Sequence, residues 1–259
     1  MKMEYEIELE SDFVNIHSNG ATTSIHSGVR LRSPEMLRSR IFELIYAEIA
    51  NEIASNSEEY EGQKIEEKSL AIVDSLIPTD ICGPIRHIVI KAVHASGDFS
   101  IAPLIRYSES FFESMLKKIS DGCSIICDSE MVRAGIYSRS VLERNSVVCY
   151  LNDARSREIA NNERVTRSVA GIRIAMQEHR NSVIVIGNSP TALQEAMRII
   201  EVNGWYDIPI VGIPVGFVNG SRVKDKLTSS RIEHITVVGH RGGSPIAASI
   251  VNGFGRFMR

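Results

Sequence analysis

Five short runs rich in valine and isoleucine punctuate the second half of this chain: SIICDS (124–129), SVVCYL (146–151), SVIVIGNS (182–189), IPIVGIP (208–214) and HITVVGH (234–240). Amphipathic stretches of helical period separate most of them. Runs this apolar suit strands covered on both faces, and strand alternating with helix implies a parallel sheet with helices on either side. Two runs end in the same punctuation. GNSPTALQEAM offers Ser189 as a helix cap with Pro190 in the first turn, and GGSPIAASIV repeats the pattern with Ser244 and Pro245. The loops after the strands therefore gather at one edge of the sheet, where open α/β folds bind ligands.

The first half reads differently. Residues 4–10, EYEIELE, alternate in the period of a half-exposed strand, and FVNIHS and TTSIHSGVRLRS continue that character around a Ser-Asn-Gly turn signal. Residues 1–32 are expected to form a small antiparallel β extension, with His17 and His26 as ordinary strand-surface residues. Ser33 and Pro34 then begin a helix that places Leu37, Ile41, Leu44, Ile45, Ile49 and Ile53 on one stripe. SNSEEYEGQKIEE reads as a polar break, KSLAIVDSLI as the start of a second helix, and GPIRHIVIKAVHAS as a third beginning at Pro84. No Gly/Ser linker divides residues 33–259, which are taken as one α/β domain.

Composition narrows the partners. Net charge is −3, with 43% hydrophobic and 24% charged residues, so no overall field draws the chain to nucleic acid or an anionic membrane. An anionic ligand must be held by local basic groups. No run approaches the roughly 20 apolar residues that span a bilayer. The start, MKMEYEIELESD, is too acidic for a signal peptide, which points to the cytoplasm. Cys82, Cys123, Cys127 and Cys149 read as reduced thiols. In CSIIC, Cys123 and Cys127 share one strand face with no second Cys or His pair at zinc spacing, so buried core is expected and no metal site.

GHRGGS (239–244) is a glycine-rich loop between strand and helix. It reads equally as an anion site with free backbone N–H groups or as a tight turn needing small residues. It matches neither GxGxxG nor GxxxxGK[ST]. GIPVGFVNGSRVKDKL carries Gly216 and Lys224, CDSEMVRAGI carries Asp128, Glu130 and Arg133, and ERVTRSVAGIR offers Thr166 as a cap before Arg167 and Ser168. Glu130 and Arg133, one turn apart, could simply pair. Together these motifs place basic and hydroxyl side chains around one rim, a pattern suited to a polycarboxylate. His94, in VIKAVHASGDF, shares a helical region with His87 and Lys91. On residues alone, such a histidine is more often a core residue with one hydrogen bond than a catalytic group. Asp98 reads equally as its orienting partner and as a cap for the next turn.

In order, KAVHASGDF, GCSIICDSEMVRAGI, TRSVAGI, VIVIGNSPTAL, PIVGIPVGFVNGSRVKDKL and VVGHRGGSPIAASIVN resemble the motifs of the precorrin-8X methylmutase family and of its cobalt-precorrin-8 counterparts. The resemblance runs from about residue 33 to 253. It implies a flavodoxin-like α/β/α fold, and a homodimer with active sites near the subunit interface. The implied reaction moves a methyl group from C11 to C12 of a corrin precursor in cobalamin biosynthesis. No organic cofactor and no protein-bound metal are expected. The family's essential histidine matches His94; since protonating a ring nitrogen would polarise the macrocycle for the methyl shift, His94 is expected to act as the general acid. Candidate contacts to the macrocycle's carboxylate arms are the side chains of Lys91, Arg133, Arg167, Lys224 and Arg241, with Asp128, Thr166, Ser168, Thr191 and Gly216 beside them. Backbone N–H groups at Asn188–Ser189 and Gly242–Gly243–Ser244 complete the set. The chain departs from the family at Ile41, where a serine is usual, at Lys91, where arginine is common, and at Tyr137-Ser138, where Thr-Arg is frequent. Two alternatives stand beside the mutase: a corrinoid-binding carrier, and an α/β enzyme taking a phosphorylated ligand at GHRGGS.

Overall fold

The computed structural model describes residues 6–9, 13–18, 21–26 and 62–258. The helix expected after Ser33 lies outside these residues. The chain falls into two compact units that meet between Leu76 and Ile77.

In the first unit, β1 (Glu6–Leu9), β2 (Phe13–Ser18) and β3 (Ala21–His26) form an antiparallel sheet in that order. The register sets Ser18 opposite Ala21, in keeping with the hairpin signal of the intervening Asn-Gly in the sequence. Helix α1 (Gly62–Leu76) begins inside the stretch read as a polar break. Gln, Glu and Lys are good helix formers, and Ile65, Glu66 and Glu67 are exposed. The polarity marks a solvated helix face.

The second unit holds the large sheet. Its strands are β4 (Ile105–Tyr107), β5 (Ser124–Cys127), β6 (Ser146–Val148), β7 (Ser182–Ile186), β8 (Ile210–Gly212) and β9 (His234–Val237), in the spatial order β4-β9-β8-β7-β5-β6. All five expected runs contain a strand. They pair in parallel from β6 to β9, and numbering those five along the chain gives 2-1-3-4-5, the flavodoxin-like order. The sixth, β4, was not legible. Three residues with Arg106 and Tyr107 exposed carry no alternation, and only antiparallel pairing of Ile105 with Val237 at the sheet edge makes them a strand.

Alternation divides the sheet's side chains between two layers. Ile126, Ile184, Ile186 and Ile210 enter a core completed by α7 (Arg167–Glu178), α8 (Pro190–Asn203) and α9 (Gly220–Thr228), through Ile172, Met176, Leu193, Ala196 and Leu227. Ile125, Val183, Val185 and Val211, all fully buried, point the other way. There α3 (Phe111–Asp121) and α10 (Ser244–Phe254) pack on the sheet. These two helices join through Phe254, whose ring centroid is 5.2 Å from Phe112 and 6.1 Å from Phe111. Burying each such side chain contributes about 1.5–3 kcal/mol. The shorter helices α4 (Glu130–Gly135), α5 (Arg139–Leu142) and α6 (Ala154–Glu163) fill the connections.

Helix α2 (Pro84–Ser96) packs along α10. Ile88, near its start, approaches Gly253, near the end of α10, so closely that a Cβ on Gly253 would lie 3.0 Å from Ile88 Cδ1. Ala95 and Ser96, at its other end, face the same cleft as Pro245 and Ile246 at the start of α10. The two helices are antiparallel. That direction carries the end of α2, with His94, to the loop-bearing edge of the sheet.

Candidate active site at the carboxyl edge of the sheet

The Gly-Asp shortly after His94 has a backbone reason. Gly97 ends α2 in the left-handed conformation, φ 64°, and its N–H donates to Val93 O at 3.0 Å, a geometry that glycine adopts without strain. Asp98 then caps the 3-10 turn Phe99–Leu104. Its Oδ1 accepts from the Ser100 N–H at 2.9 Å and from the Ser100 hydroxyl at 2.6 Å. Of its two readings, the cap is the one with a bond to show. Its Oδ2 lies 2.8 Å from Arg241 Nη1. His94 is half-buried in the last turn of α2; it precedes the wall residues Ala95 and Ser96 in the chain and does not itself line the cleft they face.

That wall belongs to a cleft of about 380 Å³. Its other sides are Asp98 and Ile101, Val215 after β8, and His240, Arg241, Gly242, Pro245 and Ile246 around the start of α10. The apolar members make one part of the wall, and Arg241 adds a guanidinium to it. Beside it, Phe217 is 88% exposed and its ring stacks on His240, centroids 5.0 Å apart and 22° between planes. The cleft thus sits at β8 and β9, away from the β5/β7 switch point where flavodoxin-like folds commonly bind ligands.

At the switch point itself stands Asp128. It is 2% exposed at the end of β5 and accepts from the backbone N–H groups of Gly187, Asn188 and Ser189 at 3.0, 2.9 and 2.6 Å. Burial raises its pKa, while the backbone donors act against that rise. Two expectations are corrected here. Asp128 holds the β7–α8 loop from within, and the N–H groups of Asn188 and Ser189 already serve its carboxylate. The Ser189 hydroxyl accepts from the Ala192 N–H at 3.2 Å as the expected helix cap, and lies 3.0 Å from the Thr191 hydroxyl. Thr191 reaches Thr166 at 3.3 Å, and Thr166 caps α7 through the Val169 N–H. These hydroxyls, with Arg167, Ser168 and the Asn188 side chain, lie along the same loop edge but outside the cleft walls.

Lys224 also departs from its expected role. The side chain has no exposed surface, and its ammonium donates to Arg241 O at 2.6 Å. Burial lowers its pKa to about 8. Held inside the protein, it sets the Arg241 backbone and does not meet an external carboxylate. In GHRGGS, the Gly243 N–H donates to Ile213 O at 3.0 Å, so the expected row of free N–H groups is interrupted there. A Cβ on Gly242 would stand 2.5 Å from Ile213 O. Close approach to the end of β8 is what requires the glycine. Gly216 donates to His240 O at 3.2 Å and ties the β8 and β9 loops together. Ser244 is buried, 3.4 Å from the Ser129 hydroxyl, and Gly243, not Ser244, occupies the cap position of α10. Arg133 is exposed and paired with Glu130 at 2.7 Å, and the stem of Lys91 lies beside Gly253 on α10. Neither lines the cleft. Sequence reasoning missed Ser100, Val215 and Ile101. The apolar Val-Gly-Phe-Val run after a strand was the available signal.

No group of three or more His, Cys, Asp or Glu side chains with metal-holding geometry occurs among the described residues. Cys123 and Cys127 are buried free thiols, with burial raising the first to about 12 and the second well above its ordinary value. No helix among the described residues is long and apolar enough to cross a membrane.

A 2-1-3-4-5 sheet whose carboxyl edge carries an arginine-lined, apolar-walled cleft defines a flavodoxin-like α/β protein, with that cleft as its candidate ligand site. The family model for precorrin-8X methylmutase matches residues 64–256, and the chain belongs to that family, isomerases that move a methyl group within one molecule. The cobalt-precorrin-8 methylmutase of Methanocaldococcus jannaschii is 37% identical over 166 residues, covering 64% of this chain and 76% of that protein. That of Methanothermobacter thermautotrophicus is 35% identical over 198 residues, covering 74% and 91%. Among solved structures, a precorrin-8X methylmutase related protein is 75% identical with a TM-score of 0.72, covering 73% of this chain and 100% of that one. The precorrin-8x methyl mutase of Thermus thermophilus is 29% identical with a TM-score of 0.69, covering 76% and 96%.

Proposed function

We propose that this chain moves the methyl group on C11 of precorrin-8, or of its cobalt form, to C12, with His94 as general acid. The reading is carried by the place of His94: the last turn of α2, next to Ala95 and Ser96, the α2 residues that wall the Arg241 cleft. The shift breaks one carbon–carbon bond and forms another in the same molecule, so it requires no external nucleophile and no electron acceptor. What helps is polarisation of the conjugated ring. A proton delivered to a ring nitrogen supplies it, and an imidazole is the side chain most often used for such general acid–base transfer. Such assistance is worth ~10²–10⁴-fold, and the rest comes from holding the macrocycle in its reacting shape.

Arg241 takes one carboxylate arm, while Thr166, Arg167, Ser168, Asn188 and Thr191 lie on the edge where other arms extend. A cleft of 380 Å³ is at the small end of the ~300–1,000 Å³ that house drug-sized ligands, so a tetrapyrrole calls for further wall. A second copy of the chain supplies it in the homodimer we propose, acting in the cytoplasm. Residues 33–259 are assigned to the methylmutase domain and 1–32 to an extension.

Purified protein mixed with precorrin-8 and with cobalt-precorrin-8 tests this directly. Turnover changes the visible spectrum of the preferred substrate; His94→Ala abolishes the change and still retains product. Near wild-type speed in that variant would end the assignment. Stoichiometric binding without turnover would make the protein a carrier, and binding of phosphate esters alone would favour the GHRGGS alternative.

A further inference from the structure

Arg241 crosses from the β9–α10 loop to the segment after α2. Its Nη1 is 2.8 Å from Asp98 Oδ2 and donates to the Ser100 hydroxyl. Asp98 is itself fixed, because its Oδ1 accepts twice from Ser100. Among the described residues, Nε and Nη2 of Arg241 make no hydrogen bond or ion pair. Those two nitrogens form the side-on edge of the guanidinium, with parallel N–H groups spaced to match the oxygens of one carboxylate. Both Arg241 and Asp98 line the cleft, and their side chains are 28% and 26% exposed.

We propose that Asp98 is a positioning residue: with Ser100 it anchors Nη1, so that Nε and Nη2 of Arg241 grip one carboxylate arm of the ligand and select it against a carboxamide. This deepens the corrinoid reading above and rests on it. A loose arginine must be ordered when ligand arrives, whereas an anchored one is already in place. A carboxamide presents one oxygen and an NH₂ group to the fork, leaving a donor facing a donor. Asp98 also offsets part of the positive charge, so geometry more than charge decides what binds. Lys224, beneath the Arg241 carbonyl, holds the backbone from which the fork projects.

Asp98→Asn separates the two duties of the carboxylate. The amide oxygen still caps the Ser100 N–H, so the melting temperature is expected to stay at the wild-type value, while the charge that anchors Nη1 is gone. KM rises about tenfold, the scale of one well-placed ion pair, with kcat within about twofold. Binding of hydrogenobyrinate, measured against its chemically amidated forms, loses its preference for the acid. Arg241→Lys, which has no fork, loses the same preference. Should Asp98→Asn melt below assay temperature, Ser100→Ala carries the expectation at about threefold in KM. An unchanged or lower KM in Asp98→Asn, or an acid preference kept by Arg241→Lys, overturns the proposal. If the wild-type protein neither binds nor converts a corrinoid, the functional reading falls and this one with it. If the wild type turns over and these variants match it, only this one falls.

Discussion

The Lys224 ammonium and the Arg241 carbonyl oxygen meet at 2.6 Å, and no part of the lysine side chain reaches solvent. A cation has been taken from water to fasten a loop by its backbone. Burial lowers the lysine pKa from 10.5 to about 8. Between those values the unfolded chain binds the proton more tightly, so this group makes stability rise with pH. The wild-type protein is expected to gain stability relative to Lys224→Met from about pH 8 to 10, by up to roughly 3 kcal/mol. Urea unfolding of both proteins at several pH values checks it, because Cys and Tyr titrations cancel in the difference.

Gly97 isolates a backbone effect. A Cβ placed there meets nothing within 4 Å, so Gly97→Ala costs only the strain of a left-handed alanine, about 1–2 kcal/mol. For a unit of this size, each 1 kcal/mol lowers the melting temperature by about 2–4 °C. A thermal melt with no change would show that α2 does not end as described.

At Asp128 the carboxylate faces three backbone donors in a buried loop. Asp128→Asn turns one acceptor into an NH₂ group among N–H groups. A loss of about 2–3 kcal/mol is expected from the unsatisfied donors, read by denaturant unfolding. Asp128→Leu should cost more, because it strands all three.

Thiol reactivity reports on the same architecture. Cys82 is exposed, while burial raises Cys149 to about 11, Cys123 to about 12 and Cys127 further still. Since the thiolate is the reactive form, a disulfide reagent at pH 8 should label Cys82 first and Cys149 slowly. Cys123 and Cys127 should react only after unfolding. Fast labelling of four thiols in the native protein would contradict the packing of β5.

The parallel strands, their order of appearance and the helices between them were legible because continuous Val/Ile runs and Ser-Pro starts are local signals. So were the caps at Thr166 and Ser189, which depend on neighbours two or three residues away. Strand β4 was not, because an edge strand of three residues exists only through its partner. Asp128 and Lys224 looked like ligand groups for the same reason: a charge in a loop or helix motif looks identical whether it faces solvent or interior. The amino-acid order alone determines which residues stand at the carboxyl edge, since strand and helix periods are local. Which of those charges point outward, and that Arg241 is met by Asp98 from a segment far earlier in the chain, only the packing of α2 against α10 decides, because the partners of a charge are set by distance in space and not along the chain.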